Sequence, residues 1–216
     1  MLEATDTLVE LGKMTPKVLN IGFTTFLKLI CLNTNGRMKE LSRYQSGSGY
    51  DFYWSMKKGI PNIAYNDLSV KDVSQQIKDS LSRKAEIDHN ISGVKTFSKW
   101  LKKNPIKLIP PPKKIIQIPN CDLSVKLHPE IAYEKDGKFY SLYMWNTANP
   151  DLTTIMAGIG VQFLNSRLKR GKYSNYEFGI FDLRKNKLRF SESITNESEV
   201  LLSADLASLA VIYNQF

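Results

Sequence analysis

The stretch His128-Pro129-Glu130-Ile131-Ala132-Tyr133-Glu134-Lys135-Asp136-Gly137-Lys138-Phe139-Tyr140-Ser141-Leu142-Tyr143-Met144-Trp145-Asn146 decides the fold. Lys135-Asp136-Gly137-Lys138 reads as a hairpin turn, because Asp-Gly supplies two central residues that tolerate left-handed backbone. Phe139 to Asn146 follows as a strand rich in aromatic side chains. Upstream, residues 122–134 are extended, with Val125, Leu127, Ile131 and Tyr133 on alternate positions and an interruption at His128-Pro129. The period of two places Tyr143 and Trp145 on one face of the second strand.

Toward the C-terminus, Asn149-Pro150-Asp151 opens a helix that runs to about Arg170 and ends at Lys169-Arg170-Gly171. It carries Ile155, Ile159 and Phe163 at spacings of four, and Ala157, Gly158 and Gly160 form a slim face suited to close packing on a sheet. Tyr176 to Leu183 reads as a strand, Lys187 to Phe190 as its continuation across a turn. Asn196 with Glu199 caps a last helix whose face is Leu202, Leu206, Leu209 and Tyr213.

Toward the N-terminus the pattern is helical. Val18 to Leu32 is apolar but contains Asn20, Gly22, two Thr and Lys28, and falls short of the ~20 apolar residues that span a bilayer. It reads as a buried helix. Tyr50 to Lys58 reads as a helix ended by Lys57-Lys58-Gly59, with Pro61 beyond. Ser69-Val-Lys-Asp72 is a capping box ahead of Val73, Ile77 and Leu81. Val94, Phe97, Trp100 and Leu101 mark a short amphipathic helix ended by Asn104-Pro105. Ile115 to Ile118 is a short strand. Pro110-Pro111-Pro112 is a stiff extended connector. These readings predict an α+β protein: a helical lobe at residues 1–104 packed on a mixed-sheet core at residues 105–216.

The chain has 216 residues, 42% hydrophobic and 24% charged, which excludes a disordered chain and a disulfide-stapled miniprotein. Cys31 and Cys121 form no CxxC pair, so a thiolate metal site is not expected and two free thiols in a reducing cytoplasm are. The N-terminus is acidic where a secretory signal is basic. A cytoplasmic protein with no membrane partner is the expectation. Net charge is +9, from 30 basic and 21 acidic side chains. That excess fits a nucleic-acid partner through counterion release, and equally fits a soluble basic protein.

The order of hairpin, helix and strand resembles the core of the PD-(D/E)XK nuclease-like superfamily, the restriction-endonuclease-like fold. The resemblance spans about the last 100 residues. Active members of that superfamily carry an acid on the first hairpin strand, often after Pro, and an acid-spacer-lysine on the second. Pro129-Glu130 fits the first position, with Asp122 a competitor. The second position falls at Tyr143-Met144-Trp145, where the acid and the lysine are replaced by Tyr143 and Trp145. A glutamine followed one turn later by tyrosine on the helix is half present, as Gln162 with Ser166.

The resemblance therefore implies a vestigial site at Glu130, Tyr143 and Trp145. Metal-assisted phosphodiester hydrolysis needs several oxygen ligands for Mg²⁺, and one carboxylate is a poor set. No metal or other cofactor is expected. The function implied is a non-catalytic nuclease-fold protein that binds nucleic acid or serves as a subunit of a DNA-processing, mobile-element or defence assembly. Two alternatives stay open. One is an active Mg²⁺-dependent nuclease with relocated residues, for which Lys126, Glu134, Lys138 and Glu177 are candidates. The other is a protein-interaction scaffold.

Phosphate contacts are expected from the basic clusters Lys57-Lys58, Lys102-Lys103, Lys113-Lys114, Arg167, Lys169-Arg170 and Lys172. Each cluster also has a plain reading as a solvated helix end or linker. The run Tyr50-Asp-Phe-Tyr-Trp54 is expected to pack helices together rather than to stack bases. His89 and His128 lack the spacing of a metal site. His128 beside Glu130 has the chemistry of an acid–base pair only if the strand bends at Pro129. Ser46-Gly-Ser-Gly49 lacks the lysine of a phosphate loop and reads as a flexible turn.

Overall fold

The computed structural model describes residues 18–215. It is an α+β structure with two sheets. In chain order the elements are β1 (Leu19–Gly22), α1 (Phe23–Ile30), α2 (Thr34–Gln45), α3 (Trp54–Tyr65), α4 (Val70–Ser80), α5 (Lys84–Lys103), β2 (Lys107–Ile109), β3 (Lys114–Gln117), β4 (Leu123–Leu127), β5 (Ile131–Lys135), β6 (Lys138–Trp145), α6 (Thr154–Leu168), β7 (Tyr176–Asp182), β8 (Lys187–Arg189) and α7 (Asn196–Tyr213). The larger sheet has the order β2-β5-β6-β7-β8, and the smaller one β1-β4-β3.

The hairpin forms where its turn chemistry places it. Asp136 and Gly137 take φ of 52° and 72°, and β5 pairs antiparallel with β6 from Ile131–Leu142 to Lys135–Lys138. β6 then pairs in parallel with β7, joined by α6. His128-Pro129 breaks the extended run so completely that its halves enter different sheets: β4 lies in the small sheet and β5 in the large one. On each side of the break the alternate residues share a core, Val125 and Leu127 in one and Ile131 and Tyr133 in another.

The large sheet is buried on both faces. Leu142, Met144 and Phe181 pack with Met56 and Ile60 of α3, Val73 of α4, and Val94 and Phe97 of α5. Tyr143, Trp145, Phe178 and Ile180 point the other way, into a core shared with α1, α6, α7 and the small sheet. Glycines set the closest approaches. A Cβ on Gly160 would lie within 2.9 Å of side-chain atoms of Leu27 and Ile180, so one side of the slim face of α6 does meet the sheet. Gly158 instead meets the backbone of Ser193, in the short 3₁₀ turn Ser191–Ser193 that precedes α7.

Several local expectations change. Val18 to Leu32 is not one helix: residues 19–22 pair in parallel with Leu123–Lys126, and only Phe23–Ile30 is helical. Pairing with β4 and burial of Ile21 outweigh local helical preference. The chain thereby joins the two sides of the Asn104 boundary, and α1 and Leu41 share a core with C-terminal elements. α3 does not stop at Gly59 but continues through Pro61. Gly59 and Ile60 are buried there, and a Cβ at Gly59 would sit 2.5 Å from Val73, so tertiary packing offsets the backbone bond that Pro61 cannot make. The helix marked by Val94 to Leu101 is the C-terminal half of the 20-residue α5. The caps of α6 and α7 are Thr153 and Thr195, one to a few residues from those read in the sequence. The capping box at Ser69 and Asp72 forms as read.

Replacing Gly158 with Ala should lower stability by about 1 kcal/mol, measured by urea denaturation, because overpacking against the Ser193 carbonyl (about 1–3 kcal/mol) exceeds the helix-propensity gain of roughly 1 kcal/mol. An unchanged midpoint would show that the 191–193 turn yields freely.

Candidate nucleic-acid interface and the Glu130 site

Glu130 lies in the link between the two sheets, just before β5. Its backbone N–H donates to the Leu142 carbonyl at 3.2 Å, and its Oε2 accepts from the Met144 N–H at 2.9 Å. The carboxyl is thus clamped against the middle of β6. Burial raises its pKa to about 7, against the Lys57 charge and the amides of Met144 and Glu130 itself, which lower it, and with Asp51 adding to the rise. Some of the residue's surface remains open, but the carboxyl is held where desolvation dominates.

Tyr143 and Trp145 sit on the same face of β6, as the strand period requires, and that face is core. They are 2% and 1% exposed. Tyr143 packs on Phe23 with ring centroids 4.3 Å apart, and Trp145 donates from Nε1 to the Thr147 carbonyl at 3.1 Å. The Tyr143 hydroxyl is buried without a hydrogen-bond partner among the described residues. Burial, then the nearby Glu130, holds its pKa well above the ordinary phenol value. Around Glu130 the donor set is poor for Mg²⁺: its carboxyl oxygen is engaged by a backbone amide, and the neighbouring strand positions present a phenol and an indole.

The other residues named for this site disperse. Asp122 is exposed at the start of β4, a strand length away. Lys126 is exposed on β4. Gln162 donates to Glu199 of α7 at 3.1 Å. Glu134 pairs with Lys107 at 2.9 Å, Glu177 pairs with Lys169 at 2.9 Å, and Lys138 lies exposed beside the hairpin turn. The lysine whose charge reaches Glu130 is Lys57 of α3. Its ammonium donates to Thr24 Oγ1 at 2.6 Å and Asp51 Oδ2 at 2.9 Å. The sequence marked Lys57 as a phosphate contact or a basic helix end and not as a neighbour of Glu130, because nothing along the chain links residue 57 to residue 130.

Six of the ten cations named for phosphate contact gather at one end of α6. Lys114 Nζ donates to the Arg167 carbonyl at 3.1 Å, tying β3 to the last turn of α6. The adjacent Lys113, with Lys126, acts on exposed His128, whose pKa is lowered first by desolvation and then by these two charges. Lys169, Arg170 and Lys172 continue the run past the helix end. Glu177 is the acid paired within this run. Burial alone would raise its pKa, but hydrogen bonds from Lys169 and Ser191 and the charges of Lys169 and Lys138 lower it overall. Aromatic rings lie among these cations: Lys172 Nζ stands 4.9 Å from the Tyr173 ring centroid, Tyr173 meets Tyr176 edge-on at 5.3 Å, and Tyr176 stacks on Phe139 at 5.3 Å.

The remaining four cations lie elsewhere. Lys57 is beside Glu130, Lys58 covers the Trp54 ring at 5.0 Å, and Lys102 and Lys103 are exposed at the end of α5. The Tyr50–Trp54 run packs only in part as expected, with Tyr53 against the core under α3, α4 and α5. Tyr50 and Trp54 are 51% and 57% exposed, since the run leads into α3 at the surface rather than forming its buried face. Cys31 and Cys121 are free thiols, and burial pushes Cys31 up to about 12. Among the described residues no cluster of three His, Cys, Asp or Glu groups is placed to hold a metal, and no helix is long and apolar enough to cross a membrane.

Compared with protein-family models and with curated proteins, the chain matches none.

Two outcomes follow from the Glu130 geometry. The folded state holds the Glu130 proton more tightly than the unfolded chain, so ionisation destabilises the fold. Stability should fall as pH rises from about 4.5 to about 7, by up to roughly 3 kcal/mol from this group, and Glu130→Gln should remove that dependence in urea titrations across the window. Tyr143→Phe deletes a buried hydroxyl with no partner and should raise stability by about 1 kcal/mol; a loss of that size would reveal a bond made in solution.

Proposed function

We propose that this protein is a non-catalytic, nuclease-fold-like protein that binds nucleic acid through the surface formed by β3, the end of α6 and residues 169–176. The observation that supports this reading is the Lys114–Arg167 contact, which brings Lys113 and Lys114 to the stretch that carries Arg167, Lys169, Arg170 and Lys172, beside the Phe139, Tyr176 and Tyr173 rings. Cations neutralise phosphates and release counterions, while half-buried aromatic edges offer stacking surface without sequence demands. Helix C-termini attract cations on their own account, but that explains only residues 167–170. It does not explain why β3 brings two further lysines to the same place.

The Glu130 site supports the non-catalytic part. With Tyr143 and Trp145 committed to the core, no exchange of rotamers can return an acid and an amine to β6. The reading of an active, metal-dependent nuclease draws on one observation, the proximity of Lys57 and Asp51 to Glu130. Incubation with single- and double-stranded substrates in Mg²⁺ or Mn²⁺ separates the two: cleavage abolished by Glu130→Ala would replace our reading.

Binding should be steeply salt-dependent. For a single strand contacting four to six phosphates the slope of log K against log salt should be about −3 to −4. The triple variant Lys113→Ala/Lys114→Ala/Arg170→Ala should flatten it by about 2, whereas Lys102→Ala/Lys103→Ala should leave it unchanged. Salt-insensitive or undetectable binding by anisotropy would point to a scaffold role instead.

A further inference from the structure

A different site lies at the opposite end of β6. Where the strand runs out at Trp145 into Asn146 and Thr147, α1, the end of α2 and the 50–53 loop close around a cleft of about 210 Å³. Three cations converge on it from three helices: Lys28 of α1, Arg43 of α2 and Lys57 of α3. Two of them have partners: Lys57 is held by Thr24 and Asp51, and Arg43 pairs through Nη2 with Glu40, while its Nε is buried without a partner among the described residues. Lys28 makes no hydrogen bond or ion pair with any described residue. It is nevertheless half-buried, and desolvation is the first cause that lowers its pKa, opposed by Glu40 and Asp51 and reinforced by Lys57 and Arg43. The Lys28 ammonium still reaches water, and desolvation together with two neighbouring cations makes it a favourable place for an added anion.

Lys28 also stands at a junction. A second cavity of about 300 Å³ shares Thr25, Lys28, Arg43 and Tyr44 with the first. Joined there, the two reach the roughly 300–1,000 Å³ range of small-molecule sites. The walls are unlike those of a simple charged groove. Tyr44 and Phe52 line it, and the exposed Tyr50 leans over it with its hydroxyl on Glu86. Tyr50, Phe52 and Tyr53 of the aromatic run that the sequence assigned to helix packing line this cleft.

We propose that this cleft binds a phosphomonoester carried on a nucleoside, with the phosphate on Lys28 between Thr25 and Lys57 and the nucleoside against Tyr44 and Phe52. The charge pattern selects the ligand. Lys57 and Arg43 each already face a carboxylate, so an incoming anion must offer enough charge and enough oxygens to share them. A phosphomonoester brings about −1.5 to −2 charges and three acceptor oxygens at neutral pH. An internal phosphodiester brings only one charge, too little for three cations of which two already face a carboxylate. The ligand is therefore a terminal phosphate, either on a strand end or on a free nucleotide. No residue of this cleft belongs to the basic surface at α6, so the two sites can fail separately.

The test uses the full chain at moderate salt. The probes are adenosine 5′-monophosphate, adenosine, and short single-stranded oligonucleotides with a 5′-phosphate, a 3′-phosphate or neither. At least one phosphorylated probe should bind about tenfold or more tighter than its unphosphorylated counterpart. An advantage confined to the mononucleotide assigns the cleft to free nucleotides, and one confined to oligonucleotides assigns it to strand ends. Lys28→Met should erase the advantage, Lys28→Arg should keep it, and Lys113→Ala/Lys114→Ala/Arg170→Ala should leave the ratio intact while weakening oligonucleotide binding overall. Lys28→Met should melt no lower than the wild type. Thr25→Val supplies an independent readout and should also reduce the advantage. Equal affinity for phosphorylated and unphosphorylated probes, or a phosphate advantage that survives Lys28→Met, overturns the proposal.

Discussion

Burial of β6 on both faces is the constraint from which the rest of the structure follows. A strand covered on one side can keep charged groups on the other, but β6 has no free side along Leu142 to Trp145. Leu142 and Met144 anchor α3 and α5, and Tyr143 and Trp145 anchor α1 and α6. An acid and a lysine at positions 143 and 145 would have to be desolvated among Phe23, Phe163 and Ile180, a cost that Tyr143 and Trp145 avoid.

The same burial shapes the electrostatics on either side. Glu130, clamped to the Met144 amide, is pushed toward neutrality, and polar chemistry is displaced to the two ends of the strand. At the hairpin end, β3 and α6 deliver lysines and arginines around Tyr173 and Tyr176. At the far end, α1, α2 and α3 each deliver one cation to a cleft floored by residues 144–147. A basic composition is thus divided between an open surface and an enclosed one. These suit different ligands: an open surface follows a polyanion, whereas a cleft with one unmatched ammonium suits a single compact anion.

Much of the β-part was legible because its signals are short-ranged. Asp136-Gly137 can hardly be anything but a tight turn, and a period of two gave the correct faces for Val125, Leu127, Ile131, Tyr133, Tyr143 and Trp145. The Ser69–Asp72 capping box formed for the same reason: donor and acceptor lie three residues apart. Misreadings fell where distant partners decide. Leu19–Gly22 became a strand because β4 was there to pair with it, and α3 ran through Pro61 because Val73 and Val94 reward burial of Gly59. Tyr50 and Trp54 look like core residues by composition, yet the loop before α3 leaves them outside.

The chain's order of residues settled the α+β class, the hairpin, the sidedness of β6 and the absence of a carboxylate and a lysine at positions 143 and 145. Those depend on contacts within a few residues. Tertiary structure alone decided that Lys57 would stand beside Glu130, that Lys114 would reach the end of α6, and that Lys28 would line one cleft with Arg43 and Lys57 without a partner among the described residues. Electrostatic neighbours act through space, and no spacing along the chain encodes which charges the fold will bring within a few ångströms of one another.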